Sequence, residues 1–317
     1  MEVSMTREGP EADLLAMWRI RAFEEKLQEL HKAGDLLGSV HLCIGQEAGP
    51  VGACTALSEQ DALFATYRGH GWAIARGVPL RPLFAELLGR ATGVNGGRGG
   101  SAYFSAADHG FYGENSIVGG GVPHAVGAAL AGRHDGSGRI AMAVFGDGAM
   151  NQGAVPEAMN FAAAFGLPVL FLCENNRYSE LTPIRDMVRN EALTDRATAL
   201  GISATRIDGN DPELVRSTVA RYADAARDGH GPAFVELTTQ RLVGHYIGDV
   251  QQYRTRAELE EDGRAEPIAR ARAALAESGV DTDAVERAAR EEVGAAAAAA
   301  LADPPADPTT AKEHLYA

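Results

Sequence analysis

The stretch 140–178 constrains the fold more than any other part of the chain. It opens with an apolar run at 140–145 and closes with a second apolar run at 168–173. The alanine-rich segment between them, 156–165, has the composition of a helix. Two short apolar runs around a helix form a βαβ unit, whose strands must be parallel and buried on both faces. We therefore predict an α/β fold.

Polar residues follow each apolar run, at the point where the strand ends. Gly146, Asp147 and Gly148 follow the first run, and Asn176 follows the second, 29 positions after Asp147. Because ligands bind beyond the carboxyl ends of parallel strands, the crossover should bring these residues together. A carboxylate, an amide oxygen and a nearby main-chain carbonyl suit Mg²⁺, which fills its octahedron with phosphate oxygens. Gly-Asp-Gly alone is equally typical of a turn, but the pair of clusters favours a metal and phosphate site.

A third polar cluster follows the short strand predicted at 61–66. It contains Tyr67, Arg68 and His70, with one glycine between Arg68 and His70 and another after His70. A guanidinium, a phenolic hydroxyl and exposed glycine N–H groups suit a phosphate. Arg68 is alternatively a solvated surface charge, and His70 is alternatively a hydrogen-bonded structural group.

The rest of the chain alternates between helical and strand patterns. The predicted helices are 14–30, 48–57, 122–131, 213–228, 257–274 and 283–301, and the further strands are 202–207 and 233–238. Segment 182–197 is polar and partly irregular, and an extended tail to Tyr316 follows the last helix. We find no internal repeat and no linker between two cores, and predict one domain over 1–317 with helical extensions at both termini.

Two shorter segments carry specific expectations. Residues 93–101 contain five glycines, which predicts a flexible segment, either a linker or a loop that passes close to a ligand or a partner chain. Gln46 and Glu47 stand at the start of a predicted helix, where capping is more typical than catalysis.

Charge and composition exclude several classes of protein. The chain has 29 basic and 43 acidic residues and a net charge of −14, which argues against an extended nucleic-acid-binding surface. Hydrophobic residues make up 45% of the chain, ample for a buried core. Three cysteines without a CxxC pair argue against a disulfide framework. The polar N-terminus and the absence of a long apolar run predict a cytoplasmic protein that does not span a membrane.

The central stretch resembles the thiamine diphosphate motif of the alpha subunits of two-chain 2-oxo acid dehydrogenases. These are the first components of the pyruvate, branched-chain and acetoin dehydrogenase complexes. The matching segments are Gly-Asp-Gly-Ala-Met-Asn-Gln-Gly from 146, Glu-Ala-Met-Asn from 157 and Leu-Pro-Val-Leu-Phe-Leu-Cys-Glu-Asn-Asn-Arg-Tyr from 167. The resemblance extends over nearly the whole chain. It implies the thiamine diphosphate-binding fold, with a mostly parallel central sheet and helices on both faces.

The resemblance also assigns roles to individual residues. It implies that magnesium is held by Asp147, Asn176 and the main-chain oxygen of Tyr178. The implied cofactor contacts are Tyr67, Arg68, Ser116, Val118, Gly146, Asp147, Gly148, Ala149, Asn176, Tyr178, Arg241 and His245. His245 and His70 are the predicted catalytic residues. A lone loop histidine is usually a surface residue, but His245 follows a strand end and a basic residue, which favours a functional role.

Three positions depart from the pattern of the family. Ala102 and Tyr103 stand where members commonly carry Met-His, which weakens any inference about the substrate. Ser116 replaces a usual glycine in the segment that receives the aminopyrimidine ring.

The resemblance implies partners as well. In the two-chain family the glutamate that activates the cofactor lies on the beta subunit, so this chain should supply half of each site in a heterotetramer with two copies of each chain. We expect it to decarboxylate a 2-oxo acid, or to cleave an acyloin such as acetoin, and to pass the acyl group to a lipoyl-domain acyltransferase. A biosynthetic two-carbon transferase acting on a sugar ketone or carrier protein is an alternative, as is a non-catalytic phosphate-binding module.

Overall fold

The computed structural model describes residues 9–36 and 38–313 and has a parallel sheet at its centre. The strands are β1 (Ala62–Phe64), β2 (Phe111–Gly113), β3 (Ala141–Gly146), β4 (Val169–Asn175), β5 (Tyr178–Ser179), β6 (Thr182–Pro183), β7 (Ser203–Asp208) and β8 (Ala233–Thr238). Six of them form one sheet in the order β2-β1-β3-β4-β8-β7, in which every neighbouring pair is parallel. The pair β5-β6 is antiparallel and separate.

Helices flank this sheet. In chain order they are α1 (Pro10–Ala33), α2 (Ala48–Thr55), α3 (His70–Ala75), α4 (Leu80–Leu87), α5 (Gly121–Asp135), α6 (Ala154–Phe165), α7 (Ile184–Met187), α8 (Leu193–Ala199), α9 (Pro212–Arg227), α10 (Arg256–Arg264), α11 (Pro267–Leu275) and α12 (Thr282–Leu301). None of the helices described is long and apolar enough to cross a membrane.

The predicted βαβ unit is present as β3, α6 and β4. The two strands pair in register from Ala141 opposite Val169 to Gly146 opposite Glu174. Alternate side chains of each strand enter different hydrophobic clusters: Met142 and Leu170 join one, and Ala143 and Phe171 join the other. Since successive side chains of a strand point to opposite faces, the sheet is covered on both sides. The predicted α/β architecture is confirmed.

The C-terminal part differs from the sequence prediction. The single helix expected at 257–274 is two helices, α10 and α11, interrupted at Ala265 and Glu266. Pro267 causes the break because it has no N–H to donate and occupies the first turn of α11. The end of the expected tail, 314–317, lies outside the described residues, and the single domain stays a prediction.

A buried carboxylate holds the glycine-rich loop 93–101 in place. The loop has no helix or strand, as predicted. Glu86 on α4 accepts main-chain hydrogen bonds from Asn95, Gly97 and Gly99 at 2.8, 2.8 and 2.6 Å. Gly97 has a φ of 73°, and a Cβ there would lie 2.5 Å from the carbonyl oxygen of Arg90. The loop therefore follows a path that glycine permits, anchored to α4 rather than free.

Candidate active site

A cavity of about 590 Å³ lies beyond the carboxyl ends of the central strands. All twelve positions with a predicted cofactor contact line it: Tyr67, Arg68, Ser116, Val118, Gly146, Asp147, Gly148, Ala149, Asn176, Tyr178, Arg241 and His245. They come from the segments after β1, β3, β4 and β8 and from the segment before α5. The parallel sheet brings these segments together because strand ends of the same polarity share one edge.

Asp147 is the first residue after β3 and is 2% exposed. Both of its carboxylate oxygens lack a hydrogen-bond partner within the described residues. Burial raises the pKa of Asp147 to about 6. An ionised carboxylate without a partner is strongly disfavoured in a buried site, so this residue suits a bound cation.

Asn176 lies on the neighbouring turn, after β4. Its side-chain Oδ1 accepts from the main-chain N–H of Tyr178 at 3.2 Å, and its Nδ2 donates to Gln46 Oε1 at 3.1 Å. Arg177, between Asn176 and Tyr178, has a φ of 67°, an unusual conformation for a residue with a side chain. The turn is thereby tight enough to place both neighbours on the cavity wall.

Few charged side chains near Asp147 could act as metal ligands. No cluster of three or more His, Cys, Asp or Glu residues suited to a metal occurs in the described parts of the chain. A metal bound here would use one carboxylate, neutral amide or carbonyl oxygens and ligand oxygens. Mg²⁺ accepts this composition, whereas zinc sites are built from cysteine and histidine.

Gly148 allows the turn after β3 to pack closely. A Cβ at this position would lie 2.3 Å from the Oγ of Ser179 on β5. Any larger residue would therefore push apart the turns that carry Asp147 and Asn176. Glycine is required here by space and not by an unusual φ.

Two buried arginines give the cavity its positive charge. Arg68 and Arg241 are 5% and 2% exposed, and neither forms a salt bridge with any described residue. Arg68 Nη2 donates to the carbonyl of His245 at 2.9 Å, and Arg241 Nη2 donates to the carbonyl of Glu180 at 2.9 Å. Burial and then the charge of Arg68 lower the pKa of Arg241 to about 10. Buried guanidinium groups without a carboxylate partner indicate a site for an anion.

His245 faces the same cavity and is neutral near pH 7. Its Nδ1 lies 3.1 Å from Nη1 of Arg241. Because a guanidinium only donates, Nδ1 is the acceptor and the ring proton sits on Nε2. Burial, followed by the charges of Arg68 and Arg241, lowers the pKa of His245 to about 4.

His41 belongs to the cavity but was not among the predicted site residues. Its ring centroid lies 4.8 Å from that of His245 and 4.5 Å from that of Tyr67. Burial and the charge of Arg68 lower the pKa of His41 to about 3. In the sequence, only the resemblance of this part of the chain to the family could have drawn attention to His41.

Gln46 was also missed, and the capping interpretation is wrong for both Gln46 and Glu47. Gln46 donates to Glu174 Oε1 at 3.2 Å while accepting from Asn176, so it connects two residues of the cavity wall. Glu47 precedes α2 but makes no side-chain cap. Its carboxylate instead accepts from Arg21 Nε at 2.6 Å and from the Gly45 N–H. The contacts with Arg21, Glu174 and Asn176 depend on distant parts of the chain, which local sequence patterns do not show.

His70 does not line the cavity, in contrast to the other predicted site residues. It is 0% exposed at the first position of α3. Its Nδ1 lies 3.1 Å from both oxygens of Glu24, and its Nε2 lies 3.0 Å from Ser101 Oγ. The side chain therefore lies behind the wall, with Ser101 between it and the cavity.

Comparison with known proteins identifies the family. The family model described as Dehydrogenase E1 component matches residues 15–313. The alpha subunit of acetoin:2,6-dichlorophenolindophenol oxidoreductase from Bacillus subtilis is 42% identical over 76% of this chain and 73% of its own length. The alpha subunit of the pyruvate dehydrogenase E1 component from Rhizobium meliloti is 37% identical over 92% of this chain and 85% of its own. The human mitochondrial somatic form of the pyruvate dehydrogenase E1 alpha subunit is 36% identical over 98% of this chain and 80% of its own length.

These matches confirm the resemblance inferred from the central motif. They agree with the parallel sheet and with a cavity lined by that motif. The chain belongs to the dehydrogenase E1 component family, as a member of the alpha-subunit type found in thiamine diphosphate-dependent pyruvate and acetoin dehydrogenases.

Proposed function

We propose that the cavity binds thiamine diphosphate together with Mg²⁺, and that the chain acts with a beta subunit on a 2-oxo acid or an acyloin. The observation that carries this proposal is the pairing of an unpartnered buried carboxylate, Asp147, with two buried arginines that have no described salt bridge. A metal cation satisfies the carboxylate, and a diphosphate satisfies both the metal and the arginines. One magnesium diphosphate therefore explains both features.

The residues divide into a metal group and an anion group. Asp147, Asn176 and the main-chain oxygen of Tyr178 would hold Mg²⁺. Arg68 and Arg241 would neutralise the diphosphate. Thiamine diphosphate, when bound, supplies the nucleophilic carbon of the reaction, and the protein binds and orients it.

Histidine and glycine complete the anion group. His245 would donate from Nε2 because Arg241 already occupies its Nδ1. The turn at 146–149 would offer main-chain N–H groups to the diphosphate, and Gly148 leaves room for that approach. Tyr67 would contribute its phenolic hydroxyl, and the main chain at Ser116 and Val118 would receive the aminopyrimidine ring.

The wall near Ser116 supports a partner at the mouth of the cavity. Ile117, between the two lining residues Ser116 and Val118, is 71% exposed, and Tyr103 and Tyr112 are more than one-third exposed. Exposed apolar groups beside a site are typical of an interface. We propose that the beta subunit covers them and brings the activating glutamate, in a heterotetramer with two copies of each chain.

The comparisons favour a dehydrogenase over a two-carbon transferase or a non-catalytic module. The named relatives are alpha subunits of acetoin and pyruvate enzymes. Both classes of substrate contain a carbonyl carbon that the cofactor can attack. A lipoyl-domain acyltransferase as acyl acceptor, and a cytoplasmic location, remain part of the proposal.

Reconstitution with the beta subunit tests the function. The alpha chain alone should have no decarboxylase activity because its site is incomplete. The assembled enzyme should reduce an artificial dye with pyruvate, another 2-oxo acid or acetoin, and only with thiamine diphosphate and Mg²⁺ present. Full activity of the alpha chain alone would refute the shared site. Failure of the assembled enzyme to bind thiamine diphosphate in calorimetry would refute the cofactor.

A further inference from the structure

A buried chain of hydrogen bonds connects α1 to the cavity wall. Glu24 on α1 contacts His70 Nδ1, and His70 Nε2 contacts Ser101 Oγ, at 3.1 and 3.0 Å. Glu24 and His70 are both fully buried, whereas Ser101 lines the cavity. Among the three, only the serine can touch a bound molecule.

The surroundings of His70 favour its charged form. The charged groups that act on it most strongly are Glu24, Glu114 and Arg68. Burial alone lowers the pKa of His70, but the Glu24 and Glu114 carboxylates together outweigh burial, so the pKa lies above its ordinary value. Glu24 also accepts from the main-chain N–H of Cys43 at 3.1 Å, which holds the carboxylate in place.

The charge on His70 determines what Ser101 can offer. A protonated ring donates from both nitrogens, to Glu24 through Nδ1 and to Ser101 Oγ through Nε2. The serine oxygen then acts as an acceptor toward the ring, and its own O–H is free to donate into the cavity. A neutral ring with its proton on Nδ1 would instead accept a hydrogen bond from the serine hydroxyl through Nε2, and the hydroxyl could then not donate into the cavity.

The position of Ser101 separates it from the diphosphate group. Arg68, Asp147 and Arg241 are buried in the cavity wall, whereas Ser101 is only partly buried and lies two residues before the half-exposed Tyr103. The glycine-rich loop that carries Ser101 is tied to Glu86 on α4 and not to the sheet edge. From this greater exposure and separate anchoring we infer that Ser101 lies nearer the mouth of the cavity than the arginines do, on the side from which a substrate would enter.

We propose that Ser101 donates a hydrogen bond to a carboxylate or carbonyl oxygen of the substrate, and that His70 and Glu24 are positioning residues that orient its hydroxyl. This inference rests on the proposed function, since it places the substrate in the cofactor cavity. No bond is made or broken by the serine, and no proton leaves the chain.

The test uses Ser101→Ala in the assembled, cofactor-loaded enzyme. We expect kcat/KM to fall about ten-fold, the effect of losing one hydrogen bond. The affinity for thiamine diphosphate should not change. A loss with pyruvate but not with acetoin would assign the bond to the carboxylate, and a loss with both would assign it to the carbonyl. Ser101→Thr, which keeps the hydroxyl, should recover most of the activity.

A double-mutant cycle tests the positioning role. His70→Gln should reproduce most of the loss seen in Ser101→Ala, and the double variant should lose little more, because both changes remove one oriented donor. Additive losses would refute the coupling. Ser105→Ala is the matched control, since Ser105 lies four residues along the same segment and its hydroxyl contacts the carbonyl of Tyr112 instead of a histidine.

A binding measurement gives a readout other than turnover. Calorimetric titration of the holoenzyme with a phosphonate analogue of pyruvate, which cannot be decarboxylated, should show weaker binding in Ser101→Ala if the carboxylate is the acceptor. Unchanged, wild-type kinetics in Ser101→Ala would overturn this inference and leave the proposed function unaffected. An assembled wild-type enzyme with no activity on any 2-oxo acid or acyloin would overturn the proposed function first, and the inference with it.

Discussion

Nη1 of Arg241 lies 3.1 Å from Nδ1 of His245, and this contact determines which nitrogen of the ring carries its proton. The two residues are four positions apart after β8, where the chain leaves the sheet and enters the cavity wall. Arg241 therefore has two functions at the site: it presents a positive charge, and it orients the histidine.

Substitution of Arg241 should weaken cofactor binding strongly. Arg241→Met removes a buried donor to the proposed diphosphate, and a charge-assisted hydrogen bond contributes about 1.5–3 kcal/mol, or roughly 10- to 100-fold in affinity. Calorimetry with thiamine diphosphate and Mg²⁺ on the assembled enzyme measures the change. Arg256→Met is the control, because that side chain is almost fully exposed and should leave the affinity unaltered.

Asp147 should stabilise the protein with Mg²⁺ and cofactor bound, and should destabilise the protein without these ligands. Its folded pKa of about 6 lies above the ordinary 3.8, so the unfolded state is ionised first and stability falls as the pH rises from about 4 to 6. Asp147→Asn removes this penalty, on the order of 2–3 kcal/mol before solvent relaxation. We expect a higher unfolding temperature without ligands at pH 7, and no Mg²⁺-dependent cofactor binding. Wild-type affinity in the variant would rule out the metal site.

His245 and His41 should make the ligand-free protein less stable in mild acid. Their pKa values are about 4 and about 3 in the folded state, against an ordinary value of 6.5. The unfolded state therefore binds more protons, and stability declines as the pH falls from about 6.5 toward 4. Urea unfolding at a series of pH values measures the slope. His245→Gln should make it shallower, and an unchanged slope would contradict the buried, neutral ring.

The segment 241–256 should become better protected when the cofactor binds. Many of its hydrogen bonds are internal: Asp249 accepts from the main chain of His245 and Gln251 and from the Tyr253 hydroxyl. Arg241 and His245 gain an anionic partner only with the diphosphate, so binding and ordering should be coupled. Hydrogen exchange with and without thiamine diphosphate and Mg²⁺ measures this. Equal protection of the segment in both states would count against this coupling. The amides of β4, whose protection should not change, serve as the reference.

Glu86 should be important for stability although it touches no proposed ligand. Glu86→Gln places an amide NH₂ against the N–H donors of the glycine-rich loop, and we expect a loss of about 2 kcal/mol or more in unfolding free energy. Chemical denaturation provides the measurement. Glu277→Gln, at an exposed position after α11, should have no measurable effect. A similar loss in both variants would show that the carboxylate network is not the cause.

The sequence by itself determined the central parallel strands of the sheet and the polar residues at their ends. The apolar runs 140–145 and 168–173 had to be parallel strands, and the polar residues at their ends had to meet at one edge. Asp147 and Asn176 were predictable for this reason, as the signal is local and the βαβ crossover leaves little freedom. The resemblance to the family supplied the remaining lining positions, including Arg241 and His245.

Tertiary structure alone decided where His70 and Gln46 belong. His70 follows Arg68 by two residues, yet the start of α3 turns it away from the cavity toward Glu24, 46 positions earlier in the chain. Gln46 meets Asn176 across 130 positions. The glycine-rich loop was predicted to be flexible because its composition favours freedom, but one buried carboxylate on α4 fixes its path. Contacts between distant residues depend on how the helices pack on the sheet, and local composition does not encode that packing.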